Sequence, residues 1–232
     1  MVAQPQREGE STPVRRKLSV QPQRVEETTS LEEKTGVQPQ ETEEMVSLQG
    51  VPMTEEAFEQ LIAEESPYRY ELIDGMLYDM TGSSPEHSAL ASRIEQLLAG
   101  QLGICGPCRL HHEQYVAVPG HAAVVPDVVL TCDVGDWDKD KRLKPFKIRS
   151  PLLVVEVLSP STEHYDHTEK FARYRCCPTL EVYLLVSQGE PQIEVYRRAQ
   201  EWRQECFTAE HTIKLDQLDL KLPVSAIYAG IL

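Results

Sequence analysis

Apolar residues are sparse over positions 1–50 and become regularly spaced from about Met53 onward. In the first stretch AQPQ at Ala3 is followed by VQPQ at Val20 and again at Val37, a repeat every 17 residues set among Glu, Arg, Ser and Thr. With so little to bury, that stretch cannot offset the entropy of ordering, which predicts a disordered arm over 1–50 and a folded domain over 51–232. The domain opens with Phe58, Leu61 and Ile62 at helical spacing behind a Thr54 cap, and Glu55 and Glu56 complement the positive end of that helix. Tyr68 to Met80 then alternates around Asp74-Gly75, a strong signal for a two-residue hairpin, and places Glu71 on the first strand. Ser84 and Pro85 start a second helix with Leu90, Ile94, Leu97 and Leu98 on one face, ending within Gly100–Gly103.

Two strands are expected next, one in the stretch 108–120 and one in the stretch 121–132. The second carries Pro126-Asp127, and proline there implies an edge, a bulge or a strand end. Between Asp133 and Arg149 a loop gathers Lys139, Lys141, Arg142, Lys144, Lys147 and Arg149 beside Trp137 and Phe146, interleaved with Asp136, Asp138 and Asp140. The run Leu152–Leu158 is apolar except for Glu156, as in a strand covered on both faces. Ser159 to Thr162 end it, and Tyr165, Phe171 and Tyr174 predict one amphipathic helix with Asp166 and Lys170 four apart on one face. LEVYLLVS, a turn at Gln188-Gly189, QIEVYRR and EWRQECF read as a meander, and Pro223 starts a last short helix through Tyr228. These patterns together predict an α/β domain with a mixed central sheet flanked by helices.

Charge and cysteine content narrow the function classes. A formal net charge of -14 opposes nucleic-acid binding through overall charge and leaves only locally basic loops for it. The absence of a bilayer-length apolar run, and an N-terminus without the apolar core of a secretory signal, predict a cytoplasmic protein with no membrane partner. The six cysteines belong to a domain too large to need covalent staples and are read as reduced thiols. Cys105-Gly106-Pro107-Cys108 spells a dithiol motif but follows a helix rather than beginning one, and zinc on Cys105, Cys108, His111 and His112 lacks the usual spacing. Both are read as incidental.

The carboxylates carry the chemistry. Glu156, buried within an apolar strand, must be paired, hydrogen-bonded or ligating. Asp127 on the neighbouring strand and Lys170 on the following helix complete a set in which two carboxylates hold a hard divalent cation and the lysine orients a nucleophile. Glu71 is a further ligand or base. A purely structural ion pair at Glu156 fits the residues equally well.

The ordered segments YELIDGMLYDM, SPEHSALASRIEQLL, PDVVL, PLLVVEVLSPST with Asp166, Lys170 and Tyr174 after it, and LEVYLLV resemble the Uma2 family of restriction-endonuclease-like proteins, a branch of the PD-(D/E)XK nuclease superfamily. The resemblance runs from about Met53 to Leu232. It implies a restriction-endonuclease-like fold and a nuclease acting on nucleic acid, DNA first, with Mg2+ or Mn2+ on Asp127, Glu156 and Glu71. Residue by residue, Pro126-Asp127 matches the PD element and Glu156 the second acid. The lysine expected two positions on is replaced by Leu158, so Lys170 is its substitute. With the resemblance, the loop residues Lys141, Arg142 and Lys144 could supply phosphate contacts; a solvated loop, which the interleaved Asp136, Asp138 and Asp140 favour, is the other reading. A catalytically silent binding or scaffold module on the same fold is the alternative, the site is expected at one sheet edge, and the late strands, which need covering, suggest a homodimer.

Overall fold

The computed structural model describes residues 50–64, 68–80, 82–103 and 106–232. The QPQ repeats and Cys105 lie outside these residues. In chain order the elements are α1 (Glu55–Leu61), the hairpin β1 (Tyr70–Ile73) and β2 (Met76–Asp79), α2 (Pro85–Leu102), β3 (Arg109–His112), β4 (Val128–Thr131), α3 (Val134–Trp137) and β5 (Pro151–Val157). They continue as α4 (Glu163–His167), α5 (Glu169–Arg175), β6 (Val182–Val186), β7 (Gln192–Arg197), β8 (Gln204–Thr208), a second hairpin β9 (Thr212–Leu215) and β10 (Leu220–Pro223), and α6 (Val224–Tyr228).

Six strands form one mixed sheet in the order β3-β4-β5-β6-β7-β8. Only β5 and β6 run parallel, with Glu156 opposite Leu185, and the α4–α5 segment makes the crossover between them. The strand period of two then decides which side each β5 residue serves. Leu153, Val155 and Val157 pack with Leu90, Ile94 and Leu98 of α2 and with the β9–β10 hairpin. Val154 packs on the opposite face with Tyr174 of α5 and Tyr183 of β6, so Glu156, two residues on, faces the α4–α5 side. Leu184 lies fully buried at the centre of β6. Leu184→Ala is expected to cost about 2–5 kcal/mol through the cavity it leaves, read as a lowered urea midpoint at unchanged m-value.

Local chemistry accounts for the boundaries. Thr54 and Ser84 cap α1 and α2 through their hydroxyls, accepting from the amides of Ala57 and His87. Asp74 and Gly75 both take positive φ, 50° and 73°, as a primed hairpin turn requires. Phe58, Tyr70, Leu72 and Leu77 build a separate small core from α1 and this hairpin.

Several expectations are corrected. The predicted single helix after Thr162 is broken at Thr168 (φ -115°, ψ -91°), whose hydroxyl donates to the carbonyl of His164 at 2.7 Å and competes with the helical ladder. The cysteines are not all thiols: Cys108 and Cys132 form a disulfide. The β3–β4 register, Arg109 opposite Thr131, puts Cys108, just before β3, opposite Cys132, just after β4. Cys176, Cys177 and Cys206 remain free. The loop after Asp133 contains the short α3, and Asp136 within it is buried, not solvated: its carboxylate accepts from the Thr131 hydroxyl and from the amides of Arg149 and Ser150. Among the described residues no helix is long and apolar enough to cross a membrane.

Candidate functional site

Asp127 immediately precedes β4 and Glu156 is the penultimate residue of β5, and because these strands are antiparallel, the start of one meets the end of the other. The Asp127 carboxylate accepts from the amide of Val157 at 2.6 Å, so it is docked against the residue next to Glu156. Both acids line a cleft of about 300 Å³ together with Asp166, Lys170 and His87. The cleft lies at the ends of two interior strands. It is not at a sheet edge as the sequence suggested.

Lys170 is the hub. Its ammonium donates to the carbonyl of Val125 at 2.9 Å and stands 3.0 Å from Glu156 Oε1, 3.2 Å from Glu71 Oε1 and 3.7 Å from Asp166 Oδ1, with its side chain only 2% exposed. Tyr174, one turn along α5, donates to the same Glu156 oxygen at 2.9 Å. Tyr183 donates to the carbonyl of Asp166 at 2.9 Å, which ties α4 to the sheet. Glu71 stands behind Lys170, fully buried, with one oxygen accepting from the amide of Val125 at 2.6 Å.

The electrostatics are unbalanced in a definite direction. Burial raises the carboxyls of Glu71 and Asp166, and pushes that of Glu156 far up, with Lys170 opposing in each case and the neighbouring acids adding to the rise. Burial alone would lower the Lys170 ammonium, but Glu156, Glu71 and Asp166 outweigh it and hold the proton firmly. One ammonium therefore faces three buried carboxyls with Asp127 beside them. Glu71 Oε2 and Asp166 Oδ1 are buried without a hydrogen-bond partner among the described residues. Such a cluster gains from any added positive charge, whether protons or a hard cation.

The donors fit a hard divalent ion: they are carboxyl oxygens beside a polar cleft, and there are more of them than one lysine can pair. Among the described residues no three His, Cys, Asp or Glu side chains stand together as a ligand set, so a cation here would rest on one or two carboxylates, with solvent and substrate completing its shell.

Of the residues singled out in the sequence, Asp127, Glu156 and Lys170 line the one cleft, and Glu71 joins them through Lys170 without lining it. Lys141, Arg142 and Lys144 stand apart from it: all three are exposed, and Arg142 and Lys144 border a second cavity of about 800 Å³. His87 is the residue that sequence reasoning missed. It sits in the first turn of α2, with Nε2 3.2 Å from Asp127 Oδ2. Burial would lower its pKa, and the Asp127 carboxylate reverses that and raises it. Its only signal in the sequence is its place three residues after a helix cap, which says nothing of what the helix end points at.

Residues 55–225 match the model of the Uma2 family, described as "Putative restriction endonuclease". Two proteins of Synechocystis are related. Uncharacterized protein slr1290 is 34% identical over 174 residues, spanning 72% of this chain and 87% of that protein. Uncharacterized protein sll1609 is 26% identical over 141 residues, 58% of this chain and 75% of its own length. A solved structure from Anabaena variabilis, described as a putative nuclease belonging to DUF820, superposes with a TM-score of 0.65 over 78% of this chain and all of that one. At 19% identity that likeness speaks for the fold alone.

Proposed function

The chain belongs to the Uma2 family of restriction-endonuclease-like proteins, and from that premise we propose that it is a divalent-metal-dependent nuclease that hydrolyses phosphodiester bonds, with DNA as substrate. The observation that carries this reading is the excess of carboxylate over ammonium in a cleft that opens to solvent: Asp127, Glu156 and Asp166 around Lys170. An ion pair kept only for stability has no need of additional acids with buried, unpartnered oxygens.

Asp127 and Glu156 are the residues that would hold Mg2+ or Mn2+. When bound, the ion neutralises charge building on the scissile phosphate and acidifies a water. The chain's own groups do the rest. Val157 and His87 fix the Asp127 carboxylate from one side. Lys170 and Tyr174 fix Glu156 by sharing its Oε1, which leaves Oε2 for the cleft. Glu71 and the Val125 carbonyl hold Lys170 in turn, a supporting layer of the kind that keeps ligating groups in register. Lys170 supplies from α5 the ammonium that Leu158, an apolar residue packed on the same face of the sheet, lacks. On the rim, the hydroxyls of Ser83, Ser159 and Ser161 offer neutral donors to phosphate oxygens.

The test is incubation of the purified chain with plasmid and with single-stranded DNA, with and without Mg2+ or Mn2+, beside Asp127→Ala. Cleavage by the wild type alone, only with metal, is the expected result. Equal nicking by both proteins would overturn the reading. In parallel, a cation at about 100 times its Kd stabilises the native state by about 2.7 kcal/mol, so the wild type should melt several degrees higher with metal and Asp127→Ala should not.

A further inference from the structure

Resting on the nuclease reading, we propose that the second cavity is a subsite for an unpaired nucleic-acid flank, so that the preferred substrate carries a single-stranded stretch beside the cut phosphate. The two cavities share a wall: Arg69 lines both the acid cleft and the second cavity. A strand whose phosphate lies at Asp127 and Glu156 therefore has a direct way past Arg69 into the second cavity.

What lines that cavity is unlike the rest of an acidic protein. Arg69, Arg142 and Lys144 stand there against Glu64, with the rings of Tyr68 and Phe146 among them. Phosphate recognition needs the cations, and base recognition without sequence readout needs flat faces for stacking. Paired bases hide their faces within the duplex, so aromatic walls select nucleotides that are out of it. The Arg142 guanidinium sits 4.9 Å from the centre of the Phe146 ring, where it presents both charge and a planar surface. Tyr68 is packed against Tyr70 at 5.8 Å between ring centres.

The subsite is anchored to the fold. Gln114 donates to the carbonyl of Phe146 at 3.2 Å, and the His111 ring meets Phe146 edge-on. Lys147 is ion-paired with Glu59 of α1, and Asp136 binds the amides of Arg149 and Ser150 at the loop's far end. These contacts hold the segment that places Arg142, Lys144 and Phe146 at one wall despite the loop's interleaved acids. Lys141 takes no part in that wall.

The experiment is fluorescence anisotropy with labelled DNA in Ca2+, comparing a blunt duplex, the same duplex with a short 5′ or 3′ single-stranded flank, and the single strand alone, followed by cleavage of each in Mg2+. The flanked duplex should bind about tenfold or more tighter than the blunt one. A Tyr68→Ala, Phe146→Ala double variant should lose that preference yet cut blunt duplex at the wild-type rate. Because the paired loss of two partly buried rings can perturb folding, Arg142→Gln with Lys144→Gln, both exposed, is the second variant. It should reduce the salt dependence of flank binding by about two charges. Equal affinity for blunt and flanked duplex, or a flank preference that survives both variants, overturns the subsite and leaves the nuclease reading standing. Flank preference with no metal-dependent cleavage of any oligonucleotide overturns the nuclease reading instead.

Discussion

Glu156→Gln is expected to lower the single-turnover cleavage rate by roughly 10³-fold, several kcal/mol of transition-state stabilisation, while making the metal-free protein more stable by about 0.5–2 kcal/mol. The two effects have opposite signs for one reason. Glu156 is 3% exposed, and burial is the largest influence raising its carboxyl. An amide of the same shape removes that desolvation cost and one like charge from the company of Glu71, Asp166 and Asp127. Its oxygen still accepts from Tyr174 and still faces the Lys170 ammonium, both of which approach Glu156 at a single atom, Oε1. What the amide cannot supply is anionic oxygen toward the cleft. Rapid-quench cleavage and urea denaturation in EDTA measure the two halves. A variant that cuts as fast as the wild type would place the chemistry elsewhere, and one that is destabilised in EDTA would make Glu156 a structural partner of Lys170.

The legible part of this site is the part written in short-range periodicity. Glu156 is visible because it is the one charge in an otherwise apolar strand, where a carboxyl has to find partners, and it is buried against Tyr174 and Lys170. Asp74-Gly75 and Ser84-Pro85 are visible because turn and cap chemistry is local. Lys170 is visible through its spacing from Asp166, even though the helix between them breaks at Thr168, since the break leaves the pair 3.7 Å apart. The illegible part depends on register between segments far apart in the chain. His87 meets Asp127 only because the N-terminal turn of α2 comes to the start of β4. Cys108 meets Cys132 only through the β3–β4 pairing. Asp136 reads as one more loop charge until the chain folds back and brings Arg149 and Ser150 onto it. Strands β9 and β10 are four residues each, with a 3-10 turn at Asp216–Leu218 between them, too short for alternation to stand out.

Lys170→Met is expected to be the most damaging single change to the fold, costing about 3–5 kcal/mol at neutral pH, because it strands three buried carboxyls without their counter-charge. The loss should depend on pH in a direction that can be worked out. Lys170 is the largest influence holding down the carboxyls of Glu71, Glu156 and Asp166 against burial, so its removal raises all three further. A carboxyl raised in the folded state keeps a proton that the unfolded chain releases. Above the ordinary values of 4.5 for Glu and 3.8 for Asp, the native form therefore binds more protons than the unfolded one, and stability falls as pH rises. The wild type shares this slope and Lys170→Met steepens it. Urea titrations should therefore find the variant closest to wild type near pH 4 to 5 and furthest from it near pH 8. Glu71→Gln in the Lys170→Met background removes one of the stranded charges and should recover part of the loss. A deficit that is the same at pH 5 and pH 8 would mean that Lys170 matters for its packed methylenes and its bond to the Val125 carbonyl, and that the acids around it do not share one charge account. In that case the excess of carboxylate that points to a bound cation would lose its force.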